Sequence, residues 1–350
     1  MPRVFWKWFA IGLGAALFLV WAQANAVGGL AGMLQVGETS TLKPLVEDQL
    51  GTIPLASGHG HDGQIYYAIG LDLDGNVVAP LLDHPAYRYR RILFPLVGSG
   101  FGLLEGWPLL YMMIGFGVLA MAFSAGAVAV MASSAGKSEL LALAVVLNPG
   151  VWLSIQLVTA DVVALALMIG GLYQFTRRRH QSTVNFSLSS LAKDVHLATP
   201  VPLGLSYRDW KVALLPLGAL GAWMTYLTIR FGDGFASRGN LDWPFMGMIT
   251  ASENWVAMDP TEWVYLVVAM LIVAVGAVYS IRRTWLQWPI AVWTGLALIS
   301  SNWVWNFGNN AMRAFAPLLV LVALSGTNAS VPGMPEPGVG ETSPPISPES

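Results

Sequence analysis

Long apolar runs separated by short polar intervals dominate this 350-residue chain. The runs fall at 5–27, 108–132, 139–158, 162–176, 212–231, 262–281, 288–305 and 311–325. Helical runs of about 20 apolar residues cross a bilayer core, so the pattern predicts an all-α polytopic membrane protein with about eight spans. Pro149 falls inside the third run and predicts a kink there. The stretch 181–207 is too short for two crossings, yet basic residues flank it on both sides (Arg177-Arg178-Arg179-His180 before, Arg208 and Lys211 after). It reads as a pair of short helices or a re-entrant hairpin, with Pro200 and Pro202 at the bend. Irregular backbone at membrane depth survives only under a cover of protein or water, which points to a cavity. One polar interval, 28–107, is long. Within it 42–50 predicts a short helix, and 86–104 mixes Tyr, Arg, Leu and Phe as an interfacial helix would. From 327 the chain is rich in Pro, Gly, Ser and Glu and is expected to be a disordered tail, leaving 1–326 as the membrane-embedded domain. No internal repeat is evident.

Charge orients the runs. Arg3 and Lys7 precede the first one and place the N-terminus in the cytoplasm, with 28–107 as a first extracytoplasmic loop. Ala22-Gln23-Ala24-Asn25-Ala26 also resembles a signal-peptide cleavage site. The continuation of the run to Val27 favours an uncleaved span, and either reading puts the next segment outside. Arg177–His180 and Arg282-Arg283 mark cytoplasmic stops. The interval 232–261, with Asp233, Arg238, Asp242, Glu253 and Asp259, and the interval 306–310 are expected outside. Composition agrees: 55% of residues are hydrophobic and 11% charged, against about 25% charged in a soluble domain. Of 15 tryptophans, Trp107, Trp243, Trp263, Trp288 and Trp303 lie beside run ends, as an aromatic belt requires.

The same composition excludes several chemistries. Without cysteine there is no disulfide, thiolate metal site or thiol nucleophile. A net charge of −2 without a basic field excludes nucleic acid as a partner. The fingerprints Gly-x-Ser-x-Gly, Gly-x4-Gly-Lys-Ser/Thr and Gly-x-Gly-x-x-Gly in a βαβ setting are missing.

Candidate chemistry gathers in the first long loop, in Gly58-His59-Gly60-His61-Asp62-Gly63-Gln64-Ile65-Tyr66-Tyr67 and in Asp83-His84-Pro85-Ala86-Tyr87-Arg88-Tyr89-Arg90-Arg91. Asp62 is flanked by Gly58, Gly60 and Gly63, which let the backbone bend. A carboxylate near a low-dielectric surface is expected to have a raised proton affinity, which suits a general base. The bland alternative is a solvated loop aspartate. His59, His61 and Asp62 together could hold Zn²⁺ or a similar ion, or simply be loop polarity. Arg88, Arg90 and Arg91, with Tyr87 and Tyr89, form a basic cluster suited to phosphate by the planar guanidinium fork, or to lipid headgroups on an interfacial helix. Lys193 and Asp194 lie in the apolar hairpin, where charges face a cavity or pair with each other. Asp161 and Arg313 are expected at the external ends of separate spans, either as ordinary interfacial residues or, with Asp62, around one cavity.

The chain resembles the GT-C superfamily of integral-membrane glycosyltransferases, in particular its mannosyltransferase-like members. The resemblance rests on 61–67 after the first span and 83–95 before the second. It continues through Thr159-Ala160-Asp161, Leu191-Ala192-Lys193-Asp194 and 313–317 in the last span, and covers most of the chain to about residue 325. It implies a GT-C-like membrane domain with a long first extracytoplasmic loop. The implied donor is a polyprenyl-phosphate-linked sugar reached from the bilayer. The acceptor would be a glycan, lipid or protein, and the locale the bacterial inner membrane with the site outside. By the resemblance Asp62 is the base on the acceptor hydroxyl. His61, Tyr66, Arg88, Arg90, Arg91, Asp161, Lys193, Asp194 and Arg313 fall to substrate and phosphate binding. No cofactor is implied, with a divalent metal left open. The chain is shorter than the larger members and lacks their soluble C-terminal domain. Rival readings are a transporter or flippase, with Lys193, Asp194 and Asp161 lining a path, and a non-catalytic membrane scaffold. The enzyme reading requires Asp62, Arg313 and Lys193 to converge on one external cavity that opens sideways to lipid. The transporter requires a polar path to both faces, and the scaffold requires neither.

Overall fold

A computed structural model describes residues 2–177, 180–232 and 239–327. The described chain is helical, with three isolated β-bridges and no strand. In order the helices are α1 (Arg3–Ala26), α2 (Lys43–Leu50), α3 (Asp62–Leu71), α4 (Pro85–Tyr89), α5 (Leu93–Gly98), α6 (Gly106–Ser134), α7 (Leu143–Val146), α8 (Pro149–Gln156) and α9 (Asp161–Phe175). They continue with α10 (Gln181–Ala192), α11 (Pro200–Ser206), α12 (Trp210–Phe231), α13 (Met246–Trp255), α14 (Pro260–Ser280), α15 (Gln287–Leu298), α16 (Asn302–Trp305) and α17 (Gly308–Ser325).

Among the described residues, four helices are long and apolar enough to cross a membrane: α1, α6, α12 and α14. A fifth crossing results if the bent pair Glu139–Val146 and Pro149–Gln156, 46° apart, counts as one span. The expected count of about eight is therefore too high on length and composition. α9 has 15 residues and α15 has 12, about 22 Å and 18 Å against a core of about 30 Å. α17 reaches 18 residues, but Asn309, Asn310 and Arg313 make its first turns polar. The expected kink at Pro149 is present. Pro149 opens α8, and Asn148 caps it by accepting from Gly150 N at 3.0 Å.

α6 is the centre of the bundle. Of its most apolar stretch 67% is buried, against 22% for α1 and 28% for each of α12 and α14. Small residues from Ala120 to Ala132 let α1 and α9 approach it closely. The outer faces of α1, α12 and α14 carry exposed Trp6, Phe18, Trp21, Leu214, Leu217, Val264 and Leu271, which suits lipid contact. α17 packs on α8, α14 and α15. Two contacts fix it to α8. The Asn148 amide donates to Ala316 O at 3.1 Å, and Gly150 lies so close to the Met312 carbonyl that a Cβ at 150 would clash with it.

The segment 28–107 folds into a compact cap. Leu34, Val46, Tyr66, Tyr67 and Phe94 share a core with Leu109, Leu110 and Met113 of α6 and with Val158. Ala68, Ile69, Val78, Tyr89 and Ile92 pack around Leu227 of α12. The expected helix at 42–50 is α2. The stretch 86–104 holds short helices. These are α4 and α5, and Tyr89, Phe94 and the intervening Ile92 are buried against the rest of the cap. The 181–207 stretch holds the expected pair of short helices, α10 and α11, joined by a 3₁₀ turn, Asp194–Ala198. Pro200 sits at this junction, whereas Pro202 lies within α11. Arg178, Arg179, Asp233, Arg238 and the expected tail beyond 327 lie outside the described residues.

Candidate functional site

Asp62 begins α3 and is not in a flexible loop. Gly60 has φ +74°, in the left-handed region that favours glycine, and forms a bridge with Val36. His61 then takes the N-cap position, its N–H donating to Gln35 O at 3.0 Å. Gly63 lies close to the carbonyl oxygens of Leu157 and Leu34, where any side chain would clash. This contact seats the first turn of α3 on the segment leading into α9, and so sets Asp62 beside Asp161. The histidines do not join Asp62 in a metal site. The His59 ring meets Thr39 Oγ1 at 3.2 Å, and among the described residues no group of three or more His, Asp or Glu could hold a metal ion.

Cations converge on Asp62 from distant parts of the chain. Arg88 Nη1 reaches Oδ1 at 3.1 Å, and Arg313 Nη2 reaches Oδ2 at 3.0 Å. Arg88 also grips Asp83 with Nε at 3.0 Å and Nη2 at 3.1 Å, a two-pronged guanidinium–carboxylate pair. Arg313 extends the network inward, with Nε 3.9 Å from Asp161 Oδ2. Asp161 is hydrogen-bonded by Lys193 Nζ and accepts from Thr159 Oγ1 at 2.7 Å. Lys193 and Asp194 do not pair with each other. The backbone leaves helical geometry at Lys193 (φ −155°, ψ 113°) and sends the two side chains to different partners. Asp194 receives Arg90 Nη1 at 3.1 Å and Arg91 Nε at 3.8 Å. Arg91 also contacts Tyr66 Oη at 3.4 Å and Tyr87 Oη at 3.0 Å. Every residue expected at the site is therefore placed in or beside one cluster, with His61 at its edge.

The electrostatics differ from the sequence-based expectation. Burial alone would raise the proton affinity of Asp62, but Arg313, Arg88 and Arg91 outweigh it and hold the carboxyl well below the usual range. The expected raised affinity is thus overturned: at rest Asp62 is a locked carboxylate. Burial, aided by Arg313, pushes the His61 imidazole down, with Asp62 opposing. Burial pushes the Tyr66 phenol up to about 12, with Arg91 opposing.

Arg88, Arg91, Asp62, Ile65, Tyr66 and Tyr87 line a narrow cleft with a free volume of about 10 Å³, about the room that one water needs. Among the described residues, buried Arg91 Nε and Arg313 Nε and Nη1 have no hydrogen-bond acceptor. Such donors suit a polyanion, which brings acceptors only. A larger open recess of about 420 Å³, lined by Trp21, Ala24, Asn25, Gly28, Gly29 and Leu30, shares no residue with the cluster and contains no ionisable group.

Asp83, Thr159 and Asn240 were not singled out as separate candidates from sequence. Asn240 reaches Tyr87 Oη at 3.0 Å across 153 residues, a contact that no local pattern encodes. Asp83 pairs at a spacing of five residues, outside the helical i, i+3 and i, i+4 rules. Comparison with protein-family models, curated proteins and solved structures finds no match.

Proposed function

We propose that the chain is a membrane glycosyltransferase of GT-C type, moving a sugar from a polyprenyl-phosphate-linked donor to an extracytoplasmic acceptor. The observation that carries this reading is the convergence of Asp62, Arg88, Arg313, Asp161 and Lys193 on one cluster beside a narrow cleft. Five separate chain segments meet there. Buried charge this dense costs several kcal/mol per ion in desolvation, so function is a better reason than stability for keeping it.

In the proposed reaction the acceptor oxygen bonds to the anomeric carbon as the bond from that carbon to the phosphate oxygen breaks. The polyprenyl phosphate leaves with the electron pair, and cationic side chains stabilise its charge. The acceptor proton goes to Asp62. At rest that carboxylate is a weak base, because Arg88 and Arg313 both hold it. A donor phosphate competing for those guanidiniums would loosen their hold and raise the proton affinity of Asp62. The base is then switched on by donor binding, which protects the donor from futile hydrolysis. On this reading the protein lies in the bacterial inner membrane with its N-terminus in the cytoplasm and its cleft outside. The acceptor is a glycan, lipid or protein.

The test is a glycan analysis of the cell envelope in a deletion strain complemented with wild type or with Asp62→Asn at matched membrane levels. Wild type is expected to restore a missing sugar and Asp62→Asn to fail. Full restoration by Asp62→Asn would remove Asp62 as the base. A deletion that changes no glycan would remove the glycosyltransferase reading.

A further inference from the structure

We propose that Tyr87 is a ligand-contacting donor of the cleft, its phenolic proton meeting a phosphoryl oxygen of the bound anion. The proposal rests on the phosphate-binding reading above and deepens it by naming a contact that discriminates charged from neutral ligands.

Tyr87 lies on the short helix α4 and lines the cleft with Asp62, Tyr66, Arg88 and Arg91. Its ring is fixed from several sides. The guanidinium carbons of Arg88, Arg90 and Arg91 stand 5.6, 5.5 and 5.3 Å from its centroid, within cation–π range. Its oxygen is fixed as well. It accepts from Arg91 Nη2 at 3.0 Å and from Asn240 Nδ2 at 3.0 Å. Asn240 is itself anchored, its carbonyl accepting from Ser301 N at 2.9 Å beside the Leu241–Ser300 bridge. Two N–H donors on one phenolic oxygen take up its accepting capacity and leave its proton to be donated. No described residue accepts that proton. Tyr66 differs: its oxygen receives only the long 3.4 Å bond from Arg91, so it retains accepting capacity.

The direction of these bonds selects a ligand class. In this corner Tyr87 offers a donor and no lone pair, and Arg91 Nε offers a second donor without a hydrogen-bond acceptor. The cleft carboxylate of Asp62 has both oxygens engaged by arginines. A sugar hydroxyl also needs an acceptor for its own proton, and at Tyr87 Oη and Arg91 Nε it meets donors only. An ionised phosphate needs only donors. Donors already on the phenolic oxygen also polarise its O–H and strengthen the outgoing bond.

The experiment uses the full chain in detergent and measures binding of farnesyl phosphate, inorganic phosphate and the neutral alcohol farnesol by calorimetry. Tyr87→Phe keeps the ring and removes only the hydroxyl. Loss of a hydrogen bond to a charged oxygen predicts roughly tenfold weaker farnesyl phosphate binding with farnesol binding unchanged. A similar loss with inorganic phosphate assigns the contact to the anion whatever carries it. A loss confined to farnesyl phosphate assigns it to the lipid-borne group. Equal farnesyl phosphate binding by wild type and Tyr87→Phe overturns the Tyr87 proposal alone. Wild type that binds neither phosphate better than farnesol overturns the phosphate-donor reading and this proposal with it. Should Tyr87→Phe fail to fold, Asn240→Ala serves instead, because freeing one lone pair lets the hydroxyl turn away. It is expected to cost about threefold in phosphate affinity, and no loss there overturns the proposal.

Discussion

The two ends of α3 carry an aspartate each, and they do different work. Asp62 opens the helix, where a negative charge suits the macrodipole. Its partners are Arg88 and Arg313, 26 and 251 residues away. Asp72 ends the same helix, where a negative charge is unfavourable, and it compensates locally. One of its oxygens accepts from Val77 N at 2.6 Å and Val78 N at 2.8 Å, closing the turn that leads to α4. A carboxylate satisfied by nearby backbone builds a turn. A carboxylate satisfied only by side chains from remote segments waits on tertiary structure, and its partners can be exchanged for a ligand. The distinction separates these two residues better than burial or residue type.

The comparison can be broken most strongly at Arg313. Arg313→Leu would leave Asp62 with one cation and Asp161 with Lys193 alone. Removing one partner of a buried ion network costs about 3–5 kcal/mol. A large drop in the thermal midpoint in detergent is expected, along with lost farnesyl phosphate binding. A midpoint within a degree of wild type would mean that the network carries no such weight. A smaller effect comes from pH. The folded-state proton affinity of Asp62 is depressed, so its pairing contributes stability above the ordinary carboxylate range and loses it as pH falls through that range toward the lower folded value. The midpoint advantage of wild type over Asp62→Asn is expected to be full near pH 7 and to close progressively from about pH 5 to pH 3. A gap that is flat or widens over that interval would contradict the depressed affinity. The smallest effect is at the other end of α3. Asp72→Ala removes an acceptor from two backbone N–H groups, at about 1–2 kcal/mol. It should lower the midpoint modestly and leave the ratio of farnesyl phosphate to farnesol binding unchanged. A change in that ratio would erase the distinction between the two ends.

The sequence pointed to most of the charged residues but to little of their connectivity. Lys193 stood out because a charge in apolar surroundings needs a reason, Asp161 and Arg313 by their expected place at the ends of spans, and the structure joins the three in one network. The pairing of Lys193 with Asp161, not with adjacent Asp194, depends on a backbone break that composition does not encode. The raised proton affinity expected of Asp62 failed because burial was considered without the arginines that burial brings along. Helices α2, α6, α12 and α14 followed the apolar pattern closely. The span count did not: the run at 162–176 gives only the 15-residue α9, the run at 288–305 breaks into α15 and α16, and α17 starts polar. The cap was the least legible part. Its apolar residues are spread over 28–107 without a steady period, and they form a core only by closing on α6 and α12.

The bend between α7 and α8 has a consequence for evolution and not only for shape. Gly150 and Asn148 touch α17 at Met312 and Ala316, one residue before Arg313 and one turn after it. The position of the guanidinium over Asp62 therefore depends on two residues that carry no charge. A methyl group added at 150 would lever the arginine away from its carboxylate. The cluster thus depends on a clasp hidden in the bundle, and drift in the clasp can disperse the ion pairs while every charged residue stays in the sequence.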